Sequence, residues 1–200
     1  MERDKREVDV SVTTRRSLLL PSLLAIVVIL AGIPALRHGY HHYMTAIYPT
    51  DYQQEVETAA SEFGVSPSLV FAVIHTESQF DAAAVSSAGA KGLMQLTNDT
   101  FQWALRRAGD SGRFTEEDLF DPVVNIRYGV YVLSLLREQF KSADTVLAAY
   151  NAGQGRVREW LQELSTDGIH LDTIPYPETA KYVERVRQAQ RQYQQLYNIE

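Results

Sequence analysis

The 200-residue chain contains no cysteine. That excludes a disulfide framework, a thiol nucleophile and a lipid anchor on cysteine. It says little about redox compartment, because disulfides are optional at this size. Positive charge is also scarce. The net charge is −6, and residues 1–36 hold five basic and four acidic groups, so the remainder carries −7. Nucleic acid is excluded as the main partner, since phosphate neutralisation needs a basic face. Nor does the charge offer any broad attraction to anionic polymers, and a neutral polymer fits better. Metal-ligand patterns are thin. His38 and His42 have i, i+4 spacing, but no carboxylate lies near them, and with His41 they read as part of a solvated linker. No metal or cofactor is expected. Strand alternation, internal repeats and low-complexity tracts are missing as well.

One long apolar run is present. Residues 17–36 carry no charge, and 20 residues can cross ~30 Å of hydrocarbon as a helix. Arg15 and Arg16 precede the run and only Arg37 follows it closely. The positive-inside rule then makes 1–16 a cytoplasmic tail, 17–36 a transmembrane anchor and 37–50 a juxtamembrane linker. The domain at 51–200 falls on the extracytoplasmic side, with Tyr40, Tyr43 and Tyr48 as an interfacial belt. A cleaved signal sequence and a twin-arginine export signal are the competing readings, and both export the same domain.

Residues 51–200 read as short-looped helices and predict an all-α, multi-helix domain. Asp51 is the expected cap of a helix stopped at Gly64, and Ser66–Pro67 opens another running to Glu77. A small-residue loop spans 85–92. Further helices are expected over 100–108, 122–140, 143–150, 156–164 and 177–197.

On the helix ending at Glu77, Val70, Val73, Ile74 and Glu77 share one stripe. Glu77 therefore projects from an apolar face at the negative end of the helix dipole. Both surroundings favour the neutral acid, so a raised pKa is expected. A solvent-facing glutamate at a fraying helix end remains the alternative. Gly89 and Gly92 permit close backbone approach to a ligand, Gln95 offers an amide, and Tyr150–Asn151 places a phenol and an amide at a helix end. Tyr150 reads equally well as a core aromatic.

Four segments carry a family resemblance. They are Glu77–Ser78 with Phe80–Asp81; Ser86 with Gly89-x-x-Gly92-Leu93-Met94-Gln95; Ala149-Tyr150-Asn151-Ala152-Gly153 with Gly155-Arg156-Val157; and Ile174-Pro175-Tyr176-Pro177-Glu178-Thr179 with Tyr182-Val183. In order and spacing they resemble the soluble lytic transglycosylase family over roughly residues 52–195, with weak matches at 96–120 and 165–173. The resemblance implies a lysozyme-like helical catalytic domain that cleaves the MurNAc–GlcNAc β-1,4 bond of peptidoglycan in cell-wall remodelling. It implies Glu77 as the catalytic acid–base and Tyr150 as the tyrosine that hydrogen-bonds and positions it. Ser86 and Gln95 fall near the N-acetyl sugar, Met94 on the cleft wall, and Asn151 and Ala152 along the cleft. Glu178 is a second cleft acid with a binding role.

Two-carboxylate hydrolysis is disfavoured, because Asp81 is only four residues on and in a loop. The product implied is a 1,6-anhydroMurNAc end. A hydrolytic muramidase on the same fold, or a non-catalytic peptidoglycan-binding module, is the alternative. Expected partners are the glycan strand, the bacterial inner membrane through residues 17–36, and cell-wall or secretion machinery.

Overall fold

The structure, a computed structural model, describes residues 32–199. It separates into two units, Met1–Ile47 and Tyr48–Glu200. Within the first, residues 32–47 are helical and expose Leu36, Tyr40 and Tyr43. Among the described residues no helix is long and apolar enough to cross a membrane. The predicted anchor at 17–36 lies outside the described residues up to position 31.

The second unit is all-α among its described residues. Its helices are α1 (Gln53–Phe63), α2 (Pro67–Glu77), α3 (Asn98–Ala108), α4 (Pro122–Gln139), α5 (Ala143–Ala152), α6 (Gln154–Leu164) and α7 (Pro177–Tyr197). A 3-10 turn, Glu116–Phe120, precedes α4. The punctuation is largely that of the sequence. Proline opens α2, α4 and α7, where its missing N–H costs no hydrogen bond. Gly64 closes α1 in the left-handed conformation. Two expected caps differ. Tyr52, not Asp51, holds the N-cap position of α1. Ser66 holds that of α2, but its hydroxyl bonds Ser68 Oγ at 2.7 Å and leaves the helix N–H groups alone.

α2 is the central element and packs chiefly against α7. Val70, Phe71, Ala72, Val73 and Ile74 are all buried, so α2 is apolar nearly all round. Phe71 stacks on Tyr193 of α7 at 5.3 Å. α1 packs on α4, and α5 on α6 and α7. The chain between α2 and α3 forms no strand among the described residues. It is a compact loop with bridges Val85–Lys91 and Lys91–Leu96.

Candidate active site

Glu77 is the last residue of α2, and its partial burial follows from the helix it ends. Burial pushes its carboxyl up to about 7; Tyr182 and then Arg185 oppose the shift without cancelling it. Such a group is half protonated near neutrality and can both give and take a proton. Tyr182, one turn into α7, is buried with its hydroxyl against this carboxyl. That hydroxyl has no hydrogen-bond partner of normal geometry.

The next residue, Ser78, ties the helix end to the loop: its Oγ donates to the Leu93 carbonyl at 2.8 Å. The Tyr150 hydroxyl donates to the Met94 carbonyl at 2.8 Å. Burial, and then the nearby Glu77 charge, push the Tyr150 phenol well above its usual range, so it stays a neutral donor. Tyr150 is therefore close to Glu77, but its hydrogen bond goes to the loop backbone rather than to the carboxyl expected from sequence. Tyr182 is the phenol that faces Glu77.

The loop is braced from below by Asn125 of α4, which is completely buried. Its Oδ1 accepts from Met94 N–H at 2.8 Å, and its Nδ2 donates to the carbonyls of Lys91 at 2.9 Å and Leu119 at 2.8 Å. A buried amide with these bonds made fixes a backbone path tightly. Gly92 sits directly above it at φ 74°, where an added Cβ would collide with Leu119 O and Asn125 Nδ2. One turn along α4, a side chain on Gly129 would collide with Met94. Neither Asn125 nor Gly129 was singled out from sequence. Their spacing, i and i+4 on the α4 face that meets a glycine-containing loop, was the available signal.

The other expected residues are placed as follows. Met94 lies in the core rather than on a cleft wall: its side chain is fully buried beside Gly129, and only its backbone serves the site. Gln95 is half-buried at φ 49° and spends its amide N–H groups on the carbonyls of Ala84 at 3.1 Å and Gly92 at 2.9 Å. Its side-chain oxygen takes part in neither bond. Ser86 Oγ accepts from Ala90 N–H at 3.1 Å, closing the loop's tip. Exposed Asn151, in the last turn of α5, accepts through Oδ1 from the buried Thr179 hydroxyl at 2.8 Å, joining α5 to α7. Ala152 is half-buried beside it, and Glu178 is exposed in the first turn of α7. The loop thus joins α2, α4 and α5 behind one carboxyl, while α7 supplies Tyr182.

The family described as "Transglycosylase SLT domain" matches residues 54–172. A membrane-bound lytic murein transglycosylase C of Salmonella paratyphi B is 32% identical over 164 residues, covering 69% of this chain and 45% of that protein. One from Histophilus somni is 29% identical over 178 residues, covering 78% and 49%. The chain thus spans less than half the length of these curated relatives. Among solved structures, the 70 kDa soluble lytic transglycosylase of Escherichia coli superposes with a TM-score of 0.71 at 30% identity, over 77% of this chain and 26% of that one. An inactive variant of lytic transglycosylase Slt from Pseudomonas aeruginosa gives 0.67 at 36% identity, over 76% and 25%. The fold from Tyr48 onward is the all-α, lysozyme-like fold of these proteins. With more than half its residues matched, the chain belongs to the transglycosylase SLT domain family.

Proposed function

We propose that the chain is a peptidoglycan lytic transglycosylase that cleaves the MurNAc–GlcNAc β-1,4 bond without water and leaves a 1,6-anhydroMurNAc end. The observation that carries the reading is Glu77: a single partly buried carboxyl raised to about 7, with Tyr182 against it. The relatives named as lytic murein transglycosylases support the same substrate.

Glu77 starts as the acid and gives its proton to the glycosidic oxygen as the C1–O bond breaks. The N-acetyl oxygen of the same sugar stabilises the cation developing at C1. Glu77, now a carboxylate, takes the proton from the C6 hydroxyl as that oxygen bonds C1. One proton leaves Glu77 and one returns, so no water or cofactor is consumed. Tyr182 steadies the carboxylate form. Tyr150 acts through the Met94 carbonyl, holding the loop that carries Gln95 beside the acid. Gln95 and Ser86 meet the N-acetyl group, Asn151 and Ala152 line the cleft, and Glu178 binds at its edge.

The apolar run at 17–36 tethers this domain to the bacterial inner membrane, with residues 51–200 outside the cytoplasm. The two curated relatives that are named membrane-bound support a membrane location.

Digestion of purified sacculi, read by mass spectrometry of the muropeptides, tests the reaction. Wild type gives anhydro ends and Glu77→Gln gives none. Reducing ends from wild type would make the enzyme a hydrolytic muramidase. Cleavage surviving in Glu77→Gln would remove the site assignment.

A further inference from the structure

A cavity of ≈ 370 Å³ opens at the end of α2 remote from Glu77. Ser66 and Leu69, at the start of α2, form one wall, and Glu77 is that helix's last residue. Eleven residues at about 1.5 Å each set the two ends about 16 Å apart. None of the candidate site residues lines this cavity.

Its floor is apolar. Leu69 is half-buried there, over buried Phe140, Val146 and Leu147. Its rim is cationic. Arg137 comes from the last turn of α4, Lys141 from the turn after it, and Arg187 from α7. These three converge although residues 37–200 carry a net −7, so the positive field is local. Arg137 donates to the Gly64 carbonyl at 2.6 Å and Lys141 to the Glu138 carbonyl at 3.4 Å. Neither pairs with a carboxylate among the described residues; Arg187 does, with Asp144 at 3.3 Å. The start of α2, whose N–H groups no side chain caps, adds the positive end of its dipole.

An apolar floor under a cationic rim selects a ligand with a small apolar body and free carboxylates. A bare phosphate leaves the floor unused. A flat anionic membrane would meet exposed Glu138 and Asp144 beside the same cations. Peptides of alanine and acidic residues have the required composition, and peptidoglycan carries them along its strands. Four extended residues span at most about 14 Å, so a stem beside the bond at Glu77 falls short of the cavity.

We propose that this cavity holds an acidic peptide stem of a neighbouring peptidoglycan strand, anchoring the domain to one strand while it cuts another. The inference rests on the reading of the chain as a peptidoglycan enzyme.

Calorimetry tests it, with stem peptides released from sacculi by an amidase and titrated into the wild-type chain. Binding should saturate and weaken as salt is raised. Lys141→Glu should weaken it about tenfold or more. Asp144→Asn, which removes the carboxylate paired with Arg187, should tighten it, a gain that damage to the fold does not produce. Absent binding, or binding indifferent to both variants, overturns the site. So does inorganic phosphate binding as tightly as the peptide. Binding to phosphatidylglycerol vesicles in place of the peptide would make the cations a membrane contact and overturn it too. In a second arm, Lys141→Glu should cut intact sacculi severalfold more slowly and peptide-free strands at the wild-type rate; equal effects on both substrates overturn the anchoring role. If wild type cleaves nothing, the enzymatic reading falls while the calorimetry still decides the cavity.

Discussion

Two loops of similar length sit on the same helical frame; each is shaped by its own hydrogen bonds, and they differ in what reaches in from the helices to hold them. The one at 84–97 is tied to the rest of the protein by other elements' side chains: Ser78 from α2, Asn125 from α4 and Tyr150 from α5. The one at 165–176 folds largely on its own hydrogen bonds, and Tyr176 at its end meets Arg156 and Trp160 of α6. Asp167 accepts from Ser165 Oγ and from the N–H groups of Ile169 and His170, and pairs with His170 Nδ1 at 2.6 Å. Thr145 Oγ1, donating to the Ile169 carbonyl at 3.0 Å, is a link from that loop to the core. Their carboxylates differ accordingly. Glu77, beside the first loop, is raised by burial. Asp167 is held well below its usual range, first by the His170 side chain and then by backbone N–H groups. Local hydrogen bonds make a loop's shape; only bonds from several helices make a position exact enough to hold chemistry.

If that contrast is right, the largest effect comes from Gly92→Ala. The left-handed backbone and the collision with Leu119 and Asn125 should together cost about 4 kcal/mol, read as a fall in denaturant midpoint. Asn125→Leu follows at about 3 kcal/mol, because Met94 N–H and two carbonyls lose a buried partner.

Glu77→Gln should act in the other direction. The folded pKa of Glu77 is raised, so its stabilising contribution is complete below the unfolded pKa of 4.5 and is lost as pH rises through about 7. A neutral amide escapes that loss. The variant should therefore gain up to about 3 kcal/mol over wild type at pH 8.5, and little at pH 4.

Tyr150→Phe removes one buried hydrogen bond and should cost about 1 kcal/mol. Turnover should fall further than that stability loss explains, because the loop beside Glu77 loosens; equal losses would make Tyr150 an ordinary core aromatic. Asp167→Asn should be smallest of all, leaving Tm within scatter at neutral pH. Any loss of cleavage in Asp167→Asn would break the comparison.

Much of this was legible in the sequence. Pro67, Pro122 and Pro177 mark the helix starts they occupy in the structure. The stripe through Val70, Val73, Ile74 and Glu77 gave both the buried face of α2 and the direction of the pKa shift. What was not legible depended on contacts between distant segments. α5 runs through Asn151 and Ala152, beyond the end expected at Tyr150, and Thr179 from α7 bonds Asn151 there. The family resemblance put Met94 on the cleft wall, and nothing local in the sequence argues otherwise; the gap opposite Gly129, 35 positions away, takes it inward. The phenols near Glu77 were distinguishable only once α7 was packed on α2, which sets Tyr182 against the carboxyl.

The central claim is that a carboxyl raised by its burial begins the reaction in its protonated form. The pH dependence of kcat/KM on soluble glycan strands tests it most directly. The rate should fall along a limb centred near pH 7, the value to which Glu77 is raised, and Tyr182→Phe should move that limb to higher pH, because Tyr182 draws the pKa down. A rate flat from about pH 5 to 9 in wild type would contradict the account.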